Sequence, residues 1–180
     1  MKTIVSKIPS YEAFLKGQKT LEIGYPWLSF GAIIALEQIV NKNFKVLEFG
    51  SGGSTIFWAK NCQCVKSFES NQNWFNNVKE KTKGFNNVEI ILVNEDQMLK
   101  AILKEPNNHY DLVLIDSDPH NTRRILLANA VLTKIKKGGF LIVDNYLKFG
   151  MENFKYPKCE IYTFDDLHYS GSGTKICKIL

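Results

Sequence analysis

The chain has 180 residues, of which 44% are hydrophobic and 23% are charged, and its formal net charge is +5. This profile excludes a globally disordered chain and fits a single globular domain. The positive charge is mild, and much of it comes from lysines in predicted helices. Solvated helix faces therefore account for it better than a nucleic-acid-binding surface does, and we do not expect nucleic acid as a partner.

Cysteine spacing and the lack of long apolar runs bear on the compartment. Cys62 and Cys64 are separated by one residue, and no histidine follows at zinc-finger spacing, so we expect reduced thiols. Residues 1–10 lack the apolar core of a signal peptide. No apolar run approaches the roughly 20 residues that cross a bilayer. These features predict a cytoplasmic protein without a membrane partner.

The predicted elements begin with a helix over 29–40, where Ile33, Leu36 and Val40 recur at helical spacing. Apolar strand-like runs then alternate with helix-like stretches. The predicted strands cover 45–49, 64–68, 88–93, 111–115 and 139–143. The predicted helices between them cover 54–60, 71–82, 95–104 and 121–136. This alternation indicates βαβ units with right-handed crossovers and a parallel sheet.

The C-terminal part departs from this pattern, because 146–158 is too irregular for another crossover helix. Two further strands, at 159–164 and 175–180, flank a loop rich in glycine and serine and predict an antiparallel hairpin. We therefore predict a three-layer α/β fold. Its seven-stranded sheet is mostly parallel, and the last strand is antiparallel.

A glycine-rich segment joins the first strand to the next helix, with the sequence Glu48-Phe49-Gly50-Ser51-Gly52-Gly53-Ser54-Thr55. Glycines let the backbone approach a ligand closely, and the helix that follows offers free N–H groups at its N-terminus. Glu69 ends the second strand about 20 residues later, where a carboxylate can accept hydrogen bonds from both ribose hydroxyls. Loop and carboxylate together predict a site for a nucleoside cofactor.

The loop also discriminates between cofactors. The dinucleotide pattern Gly-x-Gly-x-x-Gly would require glycine at position 55, where the chain has Thr55. The Glu48 carboxylate would repel a pyrophosphate and suits a cofactor with a cationic group. These features disfavour an NAD-dependent oxidoreductase, and the lack of a Gly-Lys-Ser/Thr sequence excludes a P-loop.

From 44 to 145 the chain resembles the class I S-adenosylmethionine-dependent methyltransferases. The matching segments are 46–55, Glu69, 111–116 and 138–144. The resemblance implies a Rossmann-like class I fold with a cofactor-binding core (44–145), an N-terminal helical segment (1–43) and a C-terminal strand pair (146–180), all in one domain (1–180). It implies S-adenosylmethionine as cofactor, with its methionine part in the glycine loop and its ribose on Glu69. The predicted cofactor-binding residues are Glu48, Gly50, Ser51, Gly52, Gly53, Ser54, Thr55, Glu69, Ser70, Glu95, Asp96 and Asp116.

The residues after the third strand allow two interpretations. In the family an acidic or amide residue at this point lies near the adenine, and Asn94, Glu95 and Asp96 are the candidates here. The same residues could equally form the N-cap and the first acidic turn of the next helix. Sequence alone does not decide between these roles.

A second polar cluster follows the fourth and fifth strands, with Asp116 after one and Asp144 and Asn145 after the other. Carboxylate and amide oxygens suit Mg²⁺ or Ca²⁺. The pattern resembles the cation-dependent O-methyltransferases of the catechol and caffeoyl-CoA type, whose metal ligands match Asp116, Asp144 and Asn145. The resemblance implies a divalent cation here. In other methyltransferases such acids orient the substrate or cap a helix without a metal, and that alternative stays open.

These residues also carry the predicted chemistry. Methyl transfer is an in-line displacement at a sulfonium carbon, so the enzyme must align the acceptor and help its proton to leave. Asp116 and His120 are the predicted catalytic residues, with His120 as a base, unless His120 is a structural or surface histidine. The aromatic residues of 25–28 and Tyr146 could wall the acceptor pocket or anchor the core.

The resulting expectation is methyl transfer to a small-molecule acceptor, with a hydroxyl favoured. An RNA or protein methyltransferase and a non-catalytic S-adenosylmethionine-binding protein are the alternatives. The chain lacks the Asp/Asn-Pro-Pro-aromatic tetrad of many base-methylating enzymes, and it also lacks a long insertion over the substrate. A homodimer is compatible with these features.

Overall fold

The computed structural model describes residues 9–117, 123–166 and 172–180. Within these ranges, the helices that precede the sheet are α1 (Pro9–Leu15), α2 (Thr20–Ile23) and α3 (Phe30–Ile39). The central elements are β1 (Lys45–Phe49), α4 (Gly53–Asn61), β2 (Cys64–Glu69), α5 (Gln72–Thr82), β3 (Val88–Leu92), α6 (Glu95–Lys104), β4 (Tyr110–Ile115), α7 (Arg123–Val131) and β5 (Ile135–Asp144). The chain then forms β6 (Cys159–Phe164) and β7 (Thr174–Ile179).

The seven strands form one sheet in the order β3-β2-β1-β4-β5-β7-β6. Strands β1 to β5 pair in parallel, and β7 is antiparallel to both of its neighbours, β5 and β6. The predicted seven-stranded, mostly parallel sheet is therefore confirmed. Strand order reverses direction at β1, so the carboxyl ends of β1, β2 and β4 border the crevice where ligands bind in such sheets.

Alternating side chains of the central strands face two helical layers. Leu112 and Leu114 point to the layer that contains α3 and α4, where Ile33 and Trp58 are fully buried. Val113 and Ile115 point to the opposite layer of α6 and α7. This arrangement explains why the central strands are continuously apolar, and it confirms the predicted three layers. Among the described residues, no helix is long and apolar enough to span a bilayer.

Two boundaries differ from the sequence prediction. The helix predicted over 121–136 ends at Val131 and continues only as a short 3₁₀ turn, while β5 begins at Ile135. Pairing of Tyr110 with Ile135 draws this segment into the sheet, and Lys136 Nζ binds Asp111 Oδ1 at 2.8 Å. Tertiary pairing thus overrides the local helical pattern. Helices α1 and α2 were not predicted.

The hairpin of β6 and β7 is attached to the beginning of α3. The Ser29 amide donates to Thr174 Oγ1 at 3.0 Å, and the Ser29 hydroxyl donates to the Phe164 carbonyl at 2.9 Å. The Gly31 amide donates to Asp166 Oδ2 at 2.7 Å, so a carboxylate from the end of the hairpin satisfies a free N–H in the first turn of α3. These contacts fix the first residue of β7 beside the last residue of β5.

Candidate functional site

A crevice of about 510 Å³ lies at the carboxyl ends of β1, β2, β4 and β5. Its walls bring together most of the residues that the sequence predicted for the cofactor and for the acceptor. The predicted residues that line it are Gly50, Ser51, Gly52, Gly53, Ser54, Glu69, Asp116, Asp144 and Asn145. Trp27 and Phe149 add aromatic side chains to the same walls. The two clusters recognised in the sequence therefore border one cavity.

The glycine loop passes close to two other segments. Gly50 has a φ of +89°, and a Cβ at this position would lie 2.5 Å from the Asp116 carbonyl oxygen. A Cβ on Gly53 would lie 2.1 Å from the Tyr25 carbonyl oxygen. Both positions require glycine, the first for its backbone conformation as well as its packing. The loop is thereby held between the end of β4 and the segment that follows α2.

The Glu69 carboxylate faces the loop from the end of β2. Its Oε2 accepts from the Ser51 amide at 2.9 Å and from the Ser51 hydroxyl at 2.7 Å. Its Oε1 accepts from the amides of Ser70 and Asn71, each at 2.9 Å. Glu69 is only 6% exposed. The carboxylate is therefore fixed at the crevice wall by charge-assisted hydrogen bonds on both oxygens.

Glu48 and Thr55 lie behind the loop and do not line the crevice. The Glu48 carboxyl is fully buried and accepts from the hydroxyls of Thr55 and Ser67 and, at 2.9 Å, from Trp58 Nε1. Thr55 Oγ1 in turn accepts from the Gly52 amide at 2.9 Å. Burial raises the pKa of Glu48 to about 7, although these donors act in the opposite direction. Through Thr55 and the Gly52 amide, these hydrogen bonds let Glu48 stabilise the glycine loop from behind.

A smaller cavity of about 150 Å³ lies between α6, α7 and the residues that follow β2 and β4, and it shares Arg124 with the crevice. Ser70, Asp96, Met98 and Leu99 are among its lining residues. Asn94 is the N-cap of α6, because its side chain accepts from the Gln97 amide at 2.9 Å and the Gln97 side chain accepts from the Asn94 amide. Of the three candidates for adenine recognition, Asp96 thus lines a cavity and Asn94 caps the helix. The side chain of Glu95 lies outside the described residues.

The end of the crevice formed by Asp116, Asp144 and Asn145 contains a connected set of polar groups. Asp144 Oδ1 accepts from Thr174 Oγ1 at 2.7 Å, and its Oδ2 accepts from the Asn145 amide group. Asn145 Oδ1 accepts from the Ser172 hydroxyl. Burial and the nearby Asp144 charge raise the pKa of Asp116 well above its ordinary value. His120, the predicted base, lies outside the described residues.

Arg124 is a site residue that the sequence analysis missed. Its side chain is 3% exposed and borders both cavities, and its guanidinium contacts the ends of β4 and β5. One signal could have revealed it: Arg124 lies in the first turn of α7, where a positive charge opposes the helix dipole. A cation in that position needs an anionic or carbonyl partner elsewhere.

The predicted metal ligands are suited to a hard cation by element type but not by arrangement. Both Asp144 oxygens and Asn145 Oδ1 already accept from protein donors, and Arg124 places a permanent positive charge next to Asp116. The described side chains of this cluster therefore do not fit a bound divalent cation.

Sequence comparison places the central part of the chain in a known family. A family model described as a methyltransferase domain matches residues 47–146, which is more than half of the chain. The match begins inside β1 and ends just after β5, so it includes the glycine loop, Glu69 and the acidic cluster. No curated protein sequence matches the chain.

Solved structures share the fold at low sequence identity. A candidate caffeoyl-CoA O-methyltransferase from Staphylococcus aureus has a TM-score of 0.66 and 15% identity, over 94% of this chain and 96% of its own. A candidate methyltransferase from Streptococcus mutans in complex with S-adenosylhomocysteine has a TM-score of 0.64 and 17% identity, over 81% and 93%. An rRNA methylase from Streptococcus thermophilus has a TM-score of 0.61 and 15% identity, over 81% and 92%. These structures establish the class I methyltransferase fold, while their acceptors differ.

Proposed function

The chain belongs to the family of methyltransferase domains, and on that premise we propose that it transfers the methyl group of S-adenosylmethionine to a hydroxyl of a small-molecule acceptor. One observation carries the proposal. The glycine loop after β1 and the Glu69 carboxylate after β2 lie side by side in the crevice wall, joined by the hydrogen bonds from Ser51, and together they offer backbone N–H groups and a carboxylate to a nucleoside cofactor.

The two cavities supply the parts of a cofactor site. The methionine part would lie along Gly50 to Gly53, which line the crevice and include three residues without a side chain. The ribose hydroxyls would donate to Glu69. The adenine would enter the smaller cavity, whose Met98 and Leu99 offer apolar contacts and whose Asp96 offers a hydrogen-bond acceptor.

The acceptor would lie at the Asp116 end of the crevice. A neutral hydroxyl that takes a methyl group from a sulfonium must lose its proton, so a nearby base assists the reaction. The raised pKa of Asp116 makes its carboxylate a stronger base than an ordinary aspartate. Trp27 and Phe149 would provide the apolar walls that a small organic acceptor needs.

Calorimetric titration of the whole chain with S-adenosylmethionine, S-adenosylhomocysteine and NAD tests the cofactor assignment. We expect the first two to bind and NAD to give no heat. Binding of NAD without any response to the sulfonium compound would reject the proposal. Release of S-adenosylhomocysteine in the presence of a panel of aromatic and aliphatic alcohols then tests the acceptor. Turnover with RNA or protein but not with alcohols would instead support the macromolecular alternative, and binding without turnover on any acceptor would support the non-catalytic one.

A further inference from the structure

The Arg124 guanidinium is buried between the ends of β4 and β5. Its Nε donates to the Ser117 carbonyl at 2.8 Å, and its Nη1 donates to the Asp144 carbonyl at 2.9 Å. Nη2 also donates to Ser117 O. The guanidinium carbon lies 4.8 Å from the centre of the Phe149 ring. A planar group with a rigid set of donors is thus used to join two strand ends.

The same guanidinium supplies the positive charge of the acidic cluster. Arg124 Nη2 lies 3.7 Å from Asp116 Oδ1. An arginine stays protonated at every physiological pH, so this charge is permanent. The Asp116 carboxylate is 25% exposed and lies beside the buried Asp144 carboxylate, so it needs a nearby cation to offset the repulsion between the two groups. In this fold Arg124 meets that need from within the chain.

Donors from the hairpin and from the Asn145 side chain contact the remaining ligand oxygens. Thr174 Oγ1 binds one Asp144 oxygen at 2.7 Å, while the Asn145 side-chain amide binds the other. The Ser172 hydroxyl binds Asn145 Oδ1. Each of these donors turns hydrogen toward an oxygen that would have to face a metal ion. A divalent cation would therefore have to share these oxygens with their present donors and also approach a like charge.

We propose that the Arg124 guanidinium supplies the positive charge that a divalent cation supplies in cation-dependent O-methyltransferases, so that this protein binds no metal at Asp116, Asp144 and Asn145. The inference rests on the proposed function only in treating this cluster as the acceptor end of the site. Metal binding is measured without cofactor or acceptor, so a failure of this inference and a failure of the methyltransferase proposal are distinguishable.

The first test titrates the whole chain with Mn²⁺ and follows the free ion by electron paramagnetic resonance, with an Asp144→Asn variant in parallel. We expect identical Mn²⁺ signals for the two proteins, because the cluster holds no metal in either of them. Stoichiometric Mn²⁺ binding by the natural chain that disappears in Asp144→Asn would overturn the proposal. Calorimetry with Mg²⁺ on the same pair gives an independent reading.

The second test removes the charge and keeps a side chain of similar length. In Arg124→Gln the acidic cluster loses its cation, and we expect the free Mn²⁺ signal to fall at protein concentrations at which the natural chain leaves it unchanged. Arg124→Lys is the matched control, because it keeps the charge and should behave like the natural chain. Equal Mn²⁺ affinity in Arg124→Gln and Arg124→Lys would contradict the assignment. Circular dichroism establishes that each variant is folded, and if Arg124→Gln is not, the comparison with Asp144→Asn decides alone.

Discussion

The Ser51 hydroxyl donates to Glu69 Oε2 at 2.7 Å, and this bond completes the hydrogen bonding of a carboxylate that we expect to hold a ribose. The other three donors to Glu69 are backbone amides. A carboxylate has about four acceptor sites, so a ribose hydroxyl must replace an existing donor. The Ser51 hydroxyl is the donor that can leave by rotation about one side-chain bond.

This relationship predicts that Ser51→Ala binds S-adenosylhomocysteine more tightly than the natural chain. Removing the hydroxyl frees one acceptor site on Glu69, and the expected gain is up to about 1 kcal/mol. Calorimetry measures it. The control is Ser51→Ala in a Glu69→Ala background, where the substitution should have no effect. Weaker or unchanged binding in the natural background would mean that the ribose does not compete with Ser51.

Glu69→Ala should weaken S-adenosylhomocysteine binding by about 1–3 kcal/mol, because charge-assisted hydrogen bonds to the ribose are lost. The matched control is Glu80→Ala, on the exposed side of α5, whose side chain is 76% exposed. This control should bind as the natural chain does. Equal affinities of the two variants for S-adenosylhomocysteine would mean that Glu69 does not bind the cofactor.

The raised pKa of Glu48 predicts that the free energy of unfolding depends on pH. Its pKa rises from an ordinary value of 4.5 to about 7 in the folded chain, so between these values the folded state holds a proton that the unfolded state has lost. Stability from this group is present below pH 4.5 and is lost as the pH rises through about 7. We expect urea unfolding to show a loss of roughly 1–3 kcal/mol across that range. Glu48→Gln should reduce this slope, while Glu80→Gln should keep it. An unchanged slope in Glu48→Gln would contradict the assignment.

Two adjacent glycines should differ sharply in their tolerance of alanine. A Cβ on Gly52 would meet Trp74 at an ordinary contact distance of 3.5 Å, whereas a Cβ on Gly53 would lie 2.1 Å from a backbone oxygen. Gly52→Ala should therefore fold with nearly natural stability. Gly53→Ala should lose about 2 kcal/mol or more, because the backbone of the loop must move. Thermal unfolding of the two variants is the direct comparison, and similar melting temperatures would contradict the packing described for Gly53.

Thr174→Val should destabilise the fold by about 1–3 kcal/mol, because it leaves Asp144 Oδ1 and the Ser29 amide without their buried partner. Thr174 is fully buried, so water cannot replace the hydroxyl. Thr174→Ser keeps the hydroxyl and serves as the control. If urea unfolding gives the same stability for Val and Ser at this position, the hydroxyl does not connect α3 to the cluster.

The sequence predicted those elements whose signals are local. Helix α6 has the predicted bounds, because Asn94 and Gln97 form a capping box and the apolar residues keep helical spacing. The sequence also placed the glycine loop and Glu69 at the same edge of the sheet, and both line the crevice. Three glycines directly after a buried strand indicate that another group approaches the backbone closely, as it does at Gly50 and Gly53. In both cases the local residue pattern alone is enough to predict the element.

The parts that were not predicted depend on contacts between distant residues. The early start of β5 follows from pairing of Ile135 with Tyr110. Glu48 turns away from the crevice because Ser67 and Trp58 satisfy it from other elements. Arg124 reaches the acidic cluster through the carbonyls of Ser117 and Asp144. Apart from Ser117, these partners lie ten or more residues from the residue that they fix, so no periodicity reveals them.

The position of β7 between β5 and β6 has a consequence for biogenesis. Strand β6 precedes β7 in the chain, but it reaches the sheet only through β7. During folding β6 can therefore join the sheet only after β7 has paired with β5. Its Ile161 and Tyr162 side chains are half-exposed even in the finished sheet. Until β7 is in place, β6 is an unpaired strand with exposed apolar side chains, which favours pairing with other chains.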